Sequence, residues 1–251
     1  MSQPRVRSLS AGPRRGTARP ILPAGPWWTR GPRPSSPHSG PAGAAPRPVA
    51  WLGEVGRADR HEATLAGAAD AMQTAVDEAG VFAAASAALE RLGLNAHLAT
   101  LEPGGAALVV RTVVLPQAAA AEVERILGRP LVGARIDLDV PTPYQTVVRD
   151  GRVARVDAPL WWVRLAALPI GRAEADAVAA LIRLGDVVLA PIAAGPPVLG
   201  VLTIWSATLG EADASTAELL GRMLGGALAA HRARADGRQN TAALAATASA
   251  A

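Results

Sequence analysis

The hydrophobic positions near the C-terminal end of the chain follow the pattern of two strands joined by a turn. Residues 187–205 form a run of nineteen residues without a charge, a length that would also suit a membrane-spanning helix. Gly195, Pro196 and Pro197 interrupt this run, and adjacent prolines remove backbone donors and clash with a continuous helix. Valine, leucine and isoleucine on both sides of the turn therefore predict a β-hairpin that is buried on both faces.

A second hairpin and two further strands are predicted upstream. Residues 95–102 and 107–115 are rich in apolar side chains and are separated by a Pro-Gly-Gly turn, which is typical of a hairpin. Residues 133–140 alternate apolar and acidic positions, as in a strand with one face in water. Asp137 and Asp139 are therefore interpreted as solvated charges, and not as a paired-carboxylate site. Residues 152–157 predict one more strand.

Helical spacing of apolar residues predicts helices at both ends of the domain and between the strands. The first begins at about Glu62, and the last runs from about Glu211 to Arg234, with Thr208 and Glu211 as its capping box. The other helical segments are residues 82–92, 118–127, 142–151 and a mostly helical stretch over 160–184. Gly221, Gly225 and Gly226 interrupt the last helix, and we expect them either to permit a close backbone approach or to mark a weak helix.

Charge and composition separate the two termini from the domain. Residues 1–50 hold eight of the 25 basic residues and no acid, so the remaining chain carries 17 arginines against 21 acids. Residues 1–55 are predicted to be a disordered Pro/Arg/Gly-rich tail, and residues 236–251 a flexible C-terminal tail. The basic tail is interpreted as solvated, with RNA or anionic-surface contact through Trp27 and Trp28, or a transit peptide, as alternatives. Because these first residues contain no compact apolar segment, a secretory signal is not expected.

The chain resembles the GAF domain family of bacterial sensors, most clearly in its second half. The resemblance is carried by Pro191-Ile192, Gly200-Val201-Leu202, the acidic helix start at residues 211–213 and the preceding segment RDGRVARVD. It extends over about residues 62–235. It implies an α+β fold, with a central antiparallel β-sheet of about six strands flanked by helices, as one domain over residues 60–235.

The resemblance also implies a small-molecule pocket on one side of the sheet. The candidate ligand-binding residues there are His97, Arg135, Tyr144, Trp161, Trp162 and Arg164. His97 is either a pocket ligand, conceivably axial to haem, or a histidine hydrogen-bonded at the sheet edge. For the aromatic residues the alternative is core packing, and for the arginines it is a surface position. The sequence does not name the ligand or cofactor.

Chemistry based on thiols is excluded, because the chain has no cysteine. The absence of lysine removes the intact cyclic-nucleotide signature of the family, and no phosphate loop, nucleophile elbow or metalloprotease motif occurs. We therefore expect no catalytic residues and no metal site, and the expected role is not enzymatic. Nucleic-acid binding by the domain is not expected, because its net charge is negative.

The first and last helices are predicted to form a homodimer, as the resemblance implies. The predicted interface residues are Leu65, Met72, Leu220, Leu224, Ala227 and His231. The expected function is a cytoplasmic, non-catalytic sensory domain of bacterial two-component signal transduction that binds a small molecule, dimerises or does both. It would act on a separate kinase or cyclase. The alternatives are a ligand-free interaction module, a truncated sensor kinase fragment without its output domain, and a nucleic-acid-associated regulator that uses the tail.

Overall fold

The computed structural model describes residues 50–156 and 171–249, with side chains over residues 61–156 and 171–241. Trp161, Trp162 and Arg164 lie outside the described residues. The elements in chain order are α1 (Ala50–Thr74), α2 (Glu78–Arg91), β1 (Asn95–Leu101), β2 (Ala107–Val114), α3 (Gln117–Leu127), β3 (Arg135–Asp137), α4 (Pro143–Asp150), β4 (Ala154–Val156), α5 (Arg172–Leu181), β5 (Asp186–Ile192), β6 (Gly200–Ser206) and α6 (Glu211–Ser249).

The six strands form one antiparallel sheet in the order β3-β2-β1-β6-β5-β4. Both predicted hairpins are confirmed, and the predicted α+β class is confirmed. The uncharged run at residues 187–205 forms β5 and β6, in which all residues are buried except the half-buried Asp186 and Ser206 at their ends. Among the described residues, no helix is long and apolar enough to cross a membrane.

Each face of the sheet packs against its own layer of helices. On the side that we call the α6 face, alternate residues of β1, β5 and β6 contact α1, α2 and α6, as Leu98 and Leu202 do. On the opposite side, the α4 face, Ala99 and Val201 contact residues of α3, α4 and α5. Because successive strand residues point to opposite faces, strands covered on both sides have no polar face. This explains why β5 and β6 lack the alternation seen around Ile136.

Two helix boundaries and one helix cap differ from the sequence-based predictions. The first helix begins at Ala50, inside the predicted tail, and the last helix continues to Ser249, through the segment predicted to be flexible. Residues 238–249 contain no proline or glycine and are rich in alanine, the best helix former. The predicted capping box was wrong. Helix α6 begins at Glu211, as expected, but the carboxylate of Asp213 accepts the Gly210 N–H at 2.8 Å. Thr208 is not the N-cap.

Two glycines of α6 allow the helix to lie directly against β5 and the residue that follows it. A Cβ atom at Gly221 would lie 2.5 Å from the carbonyl oxygen of Pro191, and one at Gly225 would lie 2.5 Å from the backbone of Ala193. At Gly226 the nearest atom would be the Ala194 Cβ at 3.8 Å, an ordinary contact. The close approach is therefore to the chain's own sheet, and it requires two of the three glycines.

The start of α6 is held by side chains from two other strands. Asp186 of β5 accepts the Leu209 N–H at 2.9 Å. Arg155 of β4 donates to the carbonyl oxygens of Leu209 at 2.7 Å and Gly210 at 3.2 Å. These bonds satisfy backbone groups of the loop that precedes α6, so the loop has fixed partners where it enters the helix.

Candidate functional site

Helix α4 directs the single tyrosine of the chain onto the sheet. Thr142 caps the helix by accepting the Gln145 N–H at 3.2 Å, and Pro143 occupies the first turn, where its missing donor costs nothing. The Gln145 side chain donates to the carbonyl oxygen of Leu138 at 3.0 Å and fixes the helix beside β3. With α4 held in this way, Tyr144 lies on the α4 face with 1% of its surface exposed.

Two polar residues of the central strands meet Tyr144. His97 of β1 and Thr203 of β6 are directly paired across the strands, and their side chains share the α4 face. The Tyr144 hydroxyl lies 3.0 Å from His97 Nε2, and Thr203 Oγ1 donates to the same hydroxyl at 3.4 Å. We call these three residues the His97–Tyr144–Thr203 cluster. It places three polar side chains on a buried surface that is otherwise apolar.

All members of the cluster are uncharged at neutral pH. Burial lowers the pKa of His97 from 6.5 to about 4. Burial also raises the pKa of Tyr144 above its usual value, against a smaller opposite effect of the Thr203 hydrogen bond. Tyr144 and His97 share one hydrogen bond between the hydroxyl and Nε2, and the tautomer of the imidazole decides which of the two atoms donates. The cluster can therefore exchange neutral hydrogen bonds, and a charge within it is disfavoured.

The hydrogen-bonded interpretation of His97 agrees with this geometry, but its predicted position at a sheet edge was wrong. Strand β1 is one of the two central strands, with neighbours on both sides. Sequence reasoning could not place it there, because the pairing of β1 with β6 joins residues about a hundred positions apart. His97 Nε2, the atom that would bind a haem iron, contacts the Tyr144 hydroxyl.

Thr203 and Trp205 belong to the same site and were missed in the sequence analysis. Both lie on β6 with the spacing of one face, and the Trp205 ring lies 5.8 Å from the His97 ring at an angle of 50°. Their apolar neighbours made them indistinguishable from other core residues of a strand. The signal that identifies them is the register of β6 against β1, which needs the fold.

Arg135 is separate from this cluster. It lies on β3, one of the two edge strands, and its side chain is 58% exposed and forms an ion pair with Glu102 at 3.1 Å. A surface position was the alternative for this residue, and it is the one that the structure gives. The predicted solvent exposure of Asp137 and Asp139 is confirmed.

The predicted dimer stripe is largely internal. Leu220 and Leu224 are fully buried in the core of the α6 face, where Leu65 and Met72 are also buried. Their assignment to a dimer interface was wrong, because the helical face with the strongest apolar stripe packs on the chain's own sheet. Ala227 and His231 are half-buried.

A different apolar surface lies between α1 and α6. It is an open groove of about 520 Å³ with ten lining residues. Ala66 and Ala69 of α1 and Ala212, Leu219 and Met223 of α6 belong to this lining, and Leu219 is 41% exposed. We call it the α1–α6 groove.

A buried histidine connects the two helices beside this groove. His61 Nδ1 lies 2.8 Å from the Thr216 hydroxyl, and His61 Nε2 lies 3.8 Å from a carboxylate oxygen of Asp213. All three side chains are buried. The 155 positions between His61 and Thr216 left no local sequence signal for this contact. Among the described residues, no group of three or more metal-ligating side chains is present.

Solved structures with the same arrangement of strands and helices are GAF domains. The GAF domain of a phosphoenolpyruvate-protein phosphotransferase from Coxiella burnetii is 17% identical with a TM-score of 0.52, over 71% of this chain and 98% of that one. Its counterpart from Acinetobacter is 15% identical with a TM-score of 0.50, over 68% and 94%. This chain has the fold of a GAF domain.

The same GAF fold also occurs in an enzyme. Free methionine-R-sulfoxide reductase from Neisseria meningitidis, solved in complex with its substrate, is 17% identical with a TM-score of 0.51, over 71% of this chain and 93% of that one. No family model matches this GAF-type chain, and no curated protein matches it. At these identities the likeness establishes the fold, and the function has to be argued from the site.

Proposed function

We propose that this chain is a regulatory GAF domain that binds a small uncharged molecule on the α4 face of its sheet. The observation that carries the proposal is the His97–Tyr144–Thr203 cluster. Burying polar side chains costs free energy unless their hydrogen bonds are satisfied, and an apolar core would need none of the three. A buried set of neutral donors and acceptors on the two central strands suits the recognition of a hydrogen-bonding ligand.

The charge state of the cluster limits the class of ligand. His97 with a pKa of about 4 is neutral at pH 7, and the raised pKa of Tyr144 keeps its phenol protonated. A charged ligand group in this place would have no counter-charge within the cluster and would lose its hydration. The ligand would instead offer carbonyl, hydroxyl or amide groups, with an apolar body against Trp205.

A regulatory role fits these residues better than catalysis. Without cysteine, the chain has no thiol for redox or nucleophilic chemistry. A histidine whose pKa lies near 4 is a weak general base at neutral pH, since the best catalytic pKa is close to the working pH. Tyr144 is a still weaker acid than usual for the same reason, namely burial.

Homodimerisation through the α1–α6 groove is part of the proposal. Its lining is mostly alanine, leucine and methionine, and the exposed Leu219 suits a symmetric contact. Helix α6 continues for about 30 Å beyond Leu228, the last buried residue among those up to 241 whose side chains are described, at 1.5 Å per residue. Such a helix suits the transmission of a change to a separate kinase or cyclase, in signal transduction of the two-component kind in the bacterial cytoplasm.

The ligand proposal is tested by what the protein retains. The full chain is purified from the cells that make it, unfolded in organic solvent, and the released small molecules are identified by mass spectrometry. We expect one uncharged compound in near-stoichiometric amount. The Tyr144→Phe protein should release roughly tenfold less, because a buried hydrogen bond is lost.

The matched control is Gly226→Ala, which lies on the opposite face of the sheet and has room for the methyl group. It should release as much compound as the wild-type protein. Equal release from wild type and Tyr144→Phe would contradict the proposed site, and release of nothing from wild type would favour a ligand-free interaction module.

A further inference from the structure

A second cleft lies at the turn between β5 and β6, away from the His97–Tyr144–Thr203 cluster. Its volume is about 770 Å³. One wall is the C-terminal end of α4 with residues 148–153, the floor is the turn at residues 193–198, and the other wall is α6 at Glu218 and Arg222. We call it the turn cleft.

Three arginines line the turn cleft, against two carboxylates. Arg149 binds Asp150 through Nε at 2.7 Å and through one terminal nitrogen at 3.1 Å. Arg222 binds Glu218 through one terminal nitrogen at 3.3 Å. Each carboxylate is therefore neutralised by an arginine on its own helix. Because a guanidinium has five N–H donors, both arginines keep donors for a further acceptor.

The third arginine gives the cleft its net charge. Within the described part of the chain, no carboxylate lies within ion-pair distance of Arg152, which is exposed at the end of α4. Its charge still acts on the cleft: the Asp150 pKa is lowered first by the Arg149 hydrogen bond and also by the charge of Arg152. The cleft thus carries one unmatched positive charge in a domain whose residues 51–251 have more acids than bases.

Apolar side chains form the rest of the lining. They include Leu101, Val148, Val153, Pro191, Pro197 and Val198. An unmatched guanidinium beside an apolar floor is complementary to a molecule with an anionic head and an apolar body, since guanidinium groups bind carboxylate and phosphate oxygens with strong, directional hydrogen bonds.

We propose that the turn cleft is a binding site for a small organic anion, with one carboxylate or phosphate group held by Arg152 and an apolar body on the turn. The site is independent of the ligand proposed for the α4 face. Its position beside α6 also links it to the long helix. Glu218 and Arg222 lie on α6, and Gly225 rests against the backbone of Ala193 in the floor, so an occupant contacts the helix and the turn on which it packs.

Direct titration with simple probes tests this proposal. Phenyl phosphate and benzoate represent the two head groups on one apolar body, and benzyl alcohol is the uncharged control. Full-length protein, isotopically labelled, is titrated in a phosphate-free buffer and followed by the NMR shifts of its backbone amides. We expect at least one anion to bind with a dissociation constant of about 1 mM or lower, with the largest shifts at Gly151 and Gly195 and none from benzyl alcohol.

Two charge-removing variants make the result specific. Arg152→Gln should weaken anion binding about tenfold, because a charge-assisted hydrogen bond is lost. Arg172→Gln removes an 81% exposed arginine at the start of α5, outside the cleft, and should change nothing. The relative affinity of the two probes tells a phosphate site from a carboxylate site. Absence of binding, equal binding of benzyl alcohol, or unchanged affinity in Arg152→Gln would overturn the proposal.

Discussion

Tyr144 connects more of the candidate site than any other side chain. Its hydroxyl is the only group that contacts both His97 and Thr203 in the hydrogen bonds described above, and its position depends on the Thr142 cap and the Gln145 anchor. The contacts of Tyr144 with His97 and Thr203 join residues 47 and 59 positions apart, whereas the two contacts that position α4 are local in sequence. A substitution of Tyr144 therefore changes contacts with both β1 and β6.

Removing the Tyr144 hydroxyl should destabilise the fold measurably. Tyr144→Phe leaves the ring in place but deprives His97 of its hydrogen bond, and we expect a loss of about 1–2 kcal/mol in the free energy of unfolding. Urea denaturation followed by circular dichroism measures it. Thr203→Val is the matched variant, and because its bond is longer, at 3.4 Å, it should cost less. Equal stability of Tyr144→Phe and wild type would show that the cluster is not cohesive.

His97 should make the domain sensitive to acid. Its pKa in the folded chain is about 4, below the ordinary 6.5, so the unfolded chain binds a proton between these values that the folded chain does not. Stability is therefore complete above about pH 6.5 and falls as the pH is lowered toward 4. Between pH 7 and pH 4.5 this contribution amounts to roughly 2–3 kcal/mol.

The comparison that isolates this contribution uses His97→Gln, which can accept the Tyr144 proton but does not titrate. Unfolding free energies of both proteins are measured from pH 7 to pH 4.5. The variant should lose about 2–3 kcal/mol less than wild type over this range. Parallel pH profiles would show that His97 is protonated in the fold without penalty.

At the residue scale, the sequence identified His97 and Tyr144 as candidate site residues but could not show that they are in contact. Tyr144 stood out as the only tyrosine, and His97 stood out as a polar residue in an apolar strand. Thr203 and Trp205 carried no comparable signal, since their importance comes from the β1–β6 register. The predicted dimer residues were wrong for a related reason. An apolar stripe on a helix indicates burial, but it does not identify the surface against which the helix packs.

At the scale of elements, helix α6 depends on how closely it approaches β5. Gly221→Ala and Gly225→Ala would each push a methyl group to within 2.5 Å of backbone atoms. We expect each to lower the unfolding free energy by roughly 1–3 kcal/mol, as overpacking does. Chemical denaturation of the purified variants measures the change.

Gly226→Ala is the control for these two variants, one position from Gly225 in the same helix. The new methyl group meets only the Ala194 side chain at 3.8 Å, so the better helix propensity of alanine should raise stability by up to about 1 kcal/mol. If all three variants changed stability in the same direction, the helix and the strand would not be packed as described.

The order and type of the elements were largely predictable, and their ends were not. Strands such as β5 and β6 are predicted by runs of β-branched residues with a Gly-Pro-Pro turn between them. Helix ends depend on individual hydrogen bonds. The sequence pattern indicated a capping box of Thr208 and Glu211 for α6, whereas in the structure Asp213 accepts the Gly210 N–H. The continuation of α6 past Arg234 was missed because residues 236–251 were interpreted as a flexible tail.

On the scale of the whole molecule, the α1–α6 groove predicts self-association. Leu219→Glu would place a charge on its exposed apolar edge, and we expect the dimer dissociation constant to rise at least tenfold. Sedimentation velocity over a range of concentrations measures it. Val76→Glu provides the control, because Val76 is 90% exposed in the loop between α1 and α2 and does not line the groove. Equal effects of the two variants would contradict this interface.

The measurement that tests the central claim most directly is native mass spectrometry of the full chain, purified under non-denaturing conditions from the cells that make it. The sensory account predicts a dimer that carries an additional small mass on each chain, and loss of that mass in Tyr144→Phe while the dimer persists. A wild-type spectrum with no added mass on any species would contradict the account, whatever the number of subunits.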